Sequence, residues 1–301
     1  MKMTIAKDKF LLALFFIFFT GHLRAQPISI TFSPTVGSLY KVEIIKETYF
    51  SSRIPIGMVG EDIYSGARSI TCYLLSFATL ECTDDGYVIA LSIDSTSTST
   101  SIQSQIVSYP ESFQGSNIQR DNDYVGKTVL LHISKEGKIL DLNGIEDMVQ
   151  LLPVNSINVN SVAIISNMVK ELVQMVIPEY TCASIEVGQA WDCVNHVDTG
   201  MYIYVEEIQY ALVGFDAVYA DLSMLATMKP EESDNYMEIL GVKMSMKPSG
   251  TAKGTLKVSR DAGWAVEAVW EKNQVIEMDI QNAPMSMPPS RNKEKITLKK
   301  I

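Results

Sequence analysis

Ser161–Ile177, SVAIISNMVKELVQMVI, decides how this chain is read, because it is the clearest helical pattern in a sequence that otherwise alternates like β-strand. Val162, Ile165, Met168, Val169, Leu172, Val173 and Val176 recur at steps of three and four, which places them on one stripe of a helix. Asn160 or Ser161 can cap the start by accepting a hydrogen bond from an unpaired amide, and Pro178 ends the helix because it has no amide proton. Asn167, Lys170, Glu171 and Gln174 fall on the other side, so the pattern predicts a helix buried on one face and wet on the other.

The stretches on either side of this helix echo each other. Val36-Gly37-Ser38-Leu39-Tyr40 and Val187-Gly188-Gln189-Ala190-Trp191 both read V-G-x-x-aromatic, a glycine turn leading into a strand. Leu131-His132-Ile133-Ser134-Lys135-Glu136-Gly137 is matched, with one inserted residue, by Leu256-Lys257-Val258-Ser259-Arg260-Asp261-Ala262-Gly263. Each reads as a hairpin with glycine in the turn, where a positive φ is cheap. Two echoes in the same order point to an internal duplication. The expected organisation is a first β-rich half over 27–143, a helical connector over 144–178, a second β-rich half over 179–290 and a basic tail over 291–301.

Within the first half, Ile70–Thr83 runs to the turn Asp84-Asp85-Gly86, and Tyr87–Ile93 returns beside it. In the second half, Tyr202–Val213, Ala217–Met228, Trp264–Trp270 and Val275–Ile280 read as strands, and Val242, Met244 and Met246 alternate with Lys243, Ser245 and Lys247. Loops are expected at Ser52–Ser69, Pro110–Tyr124 and Lys229–Asn235. A short helix over Gly144–Leu152 precedes the main one. Because both helices lie between the halves rather than between successive strands, a parallel α/β sheet is disfavoured. The pattern predicts an α+β, mostly β fold: curved antiparallel sheet from two duplicated halves, with one long and one short helix between them.

Lys2, Lys7 and Lys9 followed by the apolar run Phe10–Phe19 read as a secretory signal peptide over residues 1–25, cleaved after Ala25 or one residue later. The run is too short to span a bilayer, which takes roughly 20 residues, and no later segment is suited to crossing one. Loss of Lys2, Lys7, Lys9 and Arg24 against Asp8 takes the formal charge from −10 to −13. Such an acidic protein is not expected to bind nucleic acid or an anionic membrane surface. The expected location is the periplasm or beyond.

Export permits disulfides. Cys72 and Cys82 on one strand would stand roughly 33 Å apart, well beyond the ~7 Å a bridge tolerates. Cys182 and Cys193 straddle the handover from helix to strand and are the easier pair, with four buried thiols as the alternative reading.

The signal peptide, the V-G-x-x-aromatic starts, the methionine-alternating strand and the hairpin Gly254-Thr-Leu-Lys-Val-Ser-Arg-Asp-Ala-Gly-Trp264 resemble uncharacterised exported proteins of Gram-negative bacteria, grouped as domains of unknown function. In layout the chain also resembles the half-barrel of periplasmic lipoprotein carriers, where helices line a curved antiparallel sheet. That likeness implies an apolar ligand between helix and sheet, by analogy of fold alone.

No cofactor motif and no catalytic motif is present: there is no G-x-S-x-G, no H-E-x-x-H and no phosphate loop. His132 falls on the polar face of a hairpin. His196, near Asp192, Cys193 and Asp198, reads as a polar strand end rather than a metal site. Met244-Ser245-Met246 and Met285-Ser286-Met287 place thioethers on one strand face, which suits core packing better than Cu(I). Asp94–Ser104, rich in hydroxyls, reads as a solvated strand. The expectation is a non-catalytic exported binding module for a lipid-like ligand or an envelope protein. Its ligand would lie between Ile165, Met168, Val169 and Leu172 of the helix and Met244 and Met246 of the sheet. A structural or surface-interaction protein is the alternative, and an enzyme comes third.

Overall fold

The computed structural model describes residues 27–56, 61–106, 116–121, 124–149, 161–181, 183–200, 202–231, 237–239, 242–280 and 288–301. Its first half contains β1 (Leu39–Ile56), β2 (Glu61–Cys82), β3 (Gly86–Ile106), β4 (Ser116–Asp121), β5 (Thr128–Ser134) and β6 (Ile139–Asn143). Two helices follow, α1 (Glu146–Val149) and α2 (Ser161–Val176). The second half contains β7 (Ala190–Asp198), β8 (Ile203–Phe215), β9 (Tyr219–Pro230), β10 (Met237–Ile239), β11 (Val242–Ser259), β12 (Ala265–Ile280) and β13 (Ser290–Lys300).

All strands join one antiparallel sheet in the order β6-β5-β3-β2-β1-β13-β12-β11-β9-β8-β7, with β4 paired to β3 and β10 to β11. The sheet is not closed into a barrel. Both halves repeat one meander laid down in the same direction, β6-β5-β3-β2-β1 matching β12-β11-β9-β8-β7, and β13 bridges them. The echoes share their hydrogen bonds as well. Gly37 and Gly188, at φ of 80° and 90°, donate to the carbonyls of Thr79 and Leu212, both at 2.8 Å. Thr79 and Leu212 donate back to Ser38 and Gln189, both at 3.0 Å. In the matching hairpins, Ser134 Oγ accepts from the amides of Glu136 and Lys138, and Ser259 Oγ accepts from Trp264.

Alternation divides each strand into an inner face, against α2, and an outer one. Tyr40, Val42 and Ile44 of β1, Leu75 and Phe77 of β2, Leu91 of β3 and Leu131 of β5 are buried inside with Ile165, Val169, Leu172, Val173 and Val176 of α2.

The sheet is rolled at one end. Phe32 donates its amide to Lys135 in the β5–β6 turn at 2.8 Å, and its neighbour Ser33 donates to Ala262 in the β11–β12 turn at 3.1 Å. On a flat sheet those turns would lie six strand spacings, about 29 Å, apart. One dipeptide reaches both only because the sheet curls around it. Ile28 holds the same extended segment to Ile185 by two 2.8 Å bonds, and Tyr180 just after α2 donates its amide to Glu136 and its hydroxyl to Gly263. Trp264 fills the middle: it stacks on Tyr40 at 4.6 Å and meets Phe32 edge-on at 4.9 Å. Gly263 is required beside it, since its φ is +73° and an added Cβ would fall 2.6 Å from the Thr31 carbonyl oxygen.

Several expectations are corrected. Arg291–Lys300 is no tail but β13, hydrogen-bonded on both sides. Its cations conceal an alternation in which Ile296 and Leu298 are buried while Lys295 and Lys299 face outward. Lys295 stands between Glu47 and Glu271, and Lys299 between Glu43 and Glu267, so opposite charges set its register. Residues 52–56 and 61–69 are the far parts of β1 and β2, not a loop, with Ser52 opposite Ser65, and 57–60 lie outside the described residues. The hydroxyl-rich stretch from Asp94 is the strand it was expected to be, with Ser95, Ser97 and Ser99 exposed, although it pairs with β2 on one side and β4 on the other and Thr96 is buried. Val162 of α2 is exposed rather than buried. Residues 1–26, 110–115, 122–123, Met285-Ser286-Met287 and the end of the short helix lie outside the described residues, and Ser116–Asp121 within the expected loop Pro110–Tyr124 is strand β4.

Replacing Trp264 with alanine would empty the rolled end and cost about 3–5 kcal/mol. Urea unfolding of the variant should show that loss, and a change under 1 kcal/mol would show that the extended segment Ile28–Ser33, which straps the two turns together, does not depend on the indole.

Candidate functional site

Of the side of α2 expected to be wet, Lys170 is exposed but the other three residues do not face bulk water. Asn167, Glu171 and Gln174, one and two turns apart, look into a cavity between the helix and the second half of the sheet. The opposite wall is Ile208, Tyr210, Met224, Ala252, Leu256, Trp270 and Ile296, and the rim carries Val197, Tyr204, Glu206, Lys272 and Met175. Space for water centres is about 80 Å³, inside an opening of about 680 Å³ that includes solvent. Several waters fit there, since one needs about 10–15 Å³ by this measure; a whole lipid does not.

The strands bring charges inward. Lys46 of β1 reaches Glu171 of α2 at 2.9 Å and Glu294 of β13 at 3.5 Å. The longer contact is close enough for attraction but misaligned, and Glu294 Oε2 is left without a hydrogen bond. Glu294 Oε1 accepts from Asn292 at 3.2 Å. Burial works against the charge on Lys46, yet Glu171 and Glu294 raise its ammonium above the ordinary lysine range. Burial likewise opposes ionisation of Glu171, but Lys46 and Lys272 hold its carboxyl below the usual range.

Lys272 of β12 lacks such a partner. Its ammonium donates to the Tyr204 hydroxyl at 3.2 Å and lies 5.4 Å from that ring's centre. No carboxylate among the described residues comes within ion-pair distance of it. Burial opposes its charge, while Tyr204, Glu206, Glu171 and Glu294 around it keep it protonated. Burial pushes Tyr204 up to about 12 and raises the Glu206 carboxyl, in spite of Lys272 nearby.

None of the six residues expected to face a ligand lines this cavity. Ile165, Val169 and Leu172 are sealed in the core and Met168 is packed against it. Met244 and Met246 are half-buried further along β11, opposite Ile280 and Met278 of β12. The residues the sequence reading passed over are the polar ones on inward-facing strand positions: Lys46, Glu206, Lys272 and Glu294. Their signal was present as a charge in phase with apolar neighbours, Lys272 following Ala268 and Trp270 at steps of two.

The remaining candidates sit elsewhere. Cys193 is a free thiol, pushed up to about 12 by burial, too high for a thiolate at neutral pH. Cys182 lies outside the described residues, and with it the Cys182–Cys193 pairing. Cys72 and Cys82 both lie on β2 and are free. His196 is exposed and meets Glu231 at 3.4 Å. His132 is on the surface beside Asp85 at 3.1 Å and Thr83 at 3.2 Å. Among the described residues no three His, Cys, Asp or Glu converge on a metal position, and no helix is long and apolar enough to cross a membrane.

The fold and cavity define an open antiparallel sheet rolled around an internal helix. The chain belongs to DUF6263, a family of unknown function, whose model matches residues 84–265. No curated protein matches it. Among solved structures it is similar to lipovitellin, from work on lipid–protein interactions, at 12% identity and a TM-score of 0.49 over 89% of this chain. The chain spans about a quarter of that protein's length, 25%. It is also similar to Pseudomonas aeruginosa OccK7 (OpdD), at 7% identity and a TM-score of 0.25 over 88% of this chain and 99% of that one. An outer membrane channel of Pseudomonas putida F1 matches at 7% identity and 0.20, over 92% of this chain and 98% of that one.

Two variants test the charge arrangement. Lys46→Met leaves Glu171 and Glu294 facing each other and should cost about 2 kcal/mol in urea unfolding, less than the 3–5 of a fully buried pair because Glu171 keeps some solvent. Glu206 has a raised carboxyl in the fold, so its stabilising contribution is full below its unfolded value and is lost as pH rises through the folded one. Glu206→Gln should therefore match the wild-type Tm near pH 4 and exceed it increasingly toward pH 8. Parallel Tm curves over that range would refute this account of Glu206.

Proposed function

We propose that this is an exported, non-catalytic binding protein that holds an apolar or amphipathic ligand in the cavity between α2 and the sheet. The observation carrying the reading is the pairing of walls: the polar face of α2 stands opposite Ile208, Met224, Leu256 and Ile296. A helix that served only to complete a core would turn its apolar stripe toward those side chains. Instead, one side of α2 is sealed in the core and the other borders a space open to solvent. Export rests on the charged start and apolar run of residues 1–25. The non-catalytic reading rests on the charges themselves, since Lys46, Glu171 and Glu294 are engaged with one another rather than aimed at an open reaction centre.

The competing reading is a structural or envelope-interaction protein in which α2 merely closes the core, and the small interior volume favours it. Native mass spectrometry of protein purified from its own host separates the two. The binding reading expects an added mass that organic extraction removes. It also expects Ala252→Phe, which fills the cavity wall, to abolish that mass with the melting temperature preserved. A ligand-free mass, with an envelope partner captured by pull-down, would support the structural reading.

A further inference from the structure

An open sheet has edges, and an unpaired edge strand offers a row of backbone donors and acceptors to any other strand. Three of the edge strands here are short: β4, β6 and β10 have six, five and three residues. β7 is longer, nine residues held to β8 in one unbroken register. Leu212 donates to Gln189 at one end of that pair, and Thr199 donates to Tyr202 at the other. Bonded positions alternate, so those between are Trp191, Cys193, Asn195 and Val197. Ala190, Asp192, Val194, His196 and Asp198 therefore aim their N–H and C=O groups away from β8. No backbone bond reaches these groups among the described residues, and all five residues are exposed.

The side chains along this edge select what can pair with it. Set antiparallel about Val194, a second copy of β7 brings Val194 opposite Val194, Asp192 opposite His196 and Ala190 opposite Asp198. All five outward-directed residues then find partners, in about ten backbone hydrogen bonds. Other registers use fewer of them. Centring on Asn195 sets Asp192 against Asp198, and centring on Asp192 sets that carboxylate against its own copy; like charges directly opposite are destabilising. The Val194 register is thus favoured by both bond count and charge. Its charged groups have capacity to spare: Asp192 accepts from Gln209 through Oδ1 alone, and His196 meets Glu231 through Nδ1 at 3.4 Å, which leaves Nε2. On the other face the same register puts Trp191 opposite Val197.

We propose that two copies of this chain associate edge to edge through β7, antiparallel about Val194, with Asp192 of each copy bound to His196 of the other. The contact is the same patch used twice, so it closes at two copies and leaves no further β7 edge open. It lies on the rim of the sheet and does not depend on what the cavity holds.

Sedimentation equilibrium of the purified protein tests this. The wild-type mass is expected to rise from one chain toward two between about 1 μM and about 1 mM, the range of a narrow interface. Val194→Pro removes the two central bonds while sparing the β8 ladder, because proline is tolerated where the amide points off an edge. It should weaken association at least about tenfold with the circular dichroism spectrum unchanged. His196→Asp opposes carboxylates at two places and should weaken association about tenfold; adding Asp192→His exchanges the charges and should restore it. A single-chain mass across the whole series would overturn the proposal, as would association that Val194→Pro leaves unchanged. Failure of the exchanged variant to recover would overturn the Val194 register. Should the proline variant not fold, the two exposed substitutions carry the test by themselves.

Discussion

The contact on which the rest of the structure depends is the strap Ile28–Ser33 across the rolled end of the sheet. A sheet this large can twist gently and remain open; here two turns six strand spacings apart are bonded by adjacent residues. That geometry forces curvature, and curvature creates an inside. Trp264 makes the closure dry, with Phe32, Tyr40 and Phe77 around it. Without it the amides of Phe32 and Ser33 would have to compete with water for their carbonyls. The same closure positions α2, because Tyr180, at the helix exit, is bonded to both turns.

Once an inside exists, the polar residues on it need partners. Lys46, Glu171 and Glu294 supply one another, and the pairing fixes the rotation of α2 about its own axis. The helix is consequently buried around most of its circumference, with Val162 and Lys170 left fully outside. Buried charge of this kind adds little net stability compared with apolar packing, but breaking it is expensive. It therefore acts mainly on specificity: α2 rotated by a quarter turn would set Lys46 against Leu172 or Lys170.

The repeat explains how so large a sheet is assembled from short-range signals. Each half is a meander whose neighbouring strands are mostly neighbours in sequence, so local hairpins build most of it. Of the two joints that β13 makes, the one with β1 is non-local, whereas β12 directly precedes it in sequence. Charge complementarity supports both, since the glutamates of β1 and β12 flank the lysines of β13. The 84–265 span of the family match covers β3 through β11 but excludes that joining strand.

The sequence by itself determined the local events: glycine turns at Gly37 and Gly188, the paired hairpins, the strand alternation, α2 and its stop at Pro178. These follow from φ preferences and periodicity, which act over a few residues. Strand length was misread at Ser52–Ser69, because serines and glycines look like loop until a partner strand supplies their hydrogen bonds. The basic end was misread for a related reason. Arg291–Lys300 is too charged to look like a strand until Glu43, Glu47, Glu267 and Glu271 are known to lie beside it. The cavity was beyond local reading altogether. Whether Asn167, Glu171 and Gln174 face water or a sheet depends on curvature set by a strap more than a hundred residues away in the chain. Periodicity can separate the two faces of a helix, but only the tertiary closure decides what each face meets.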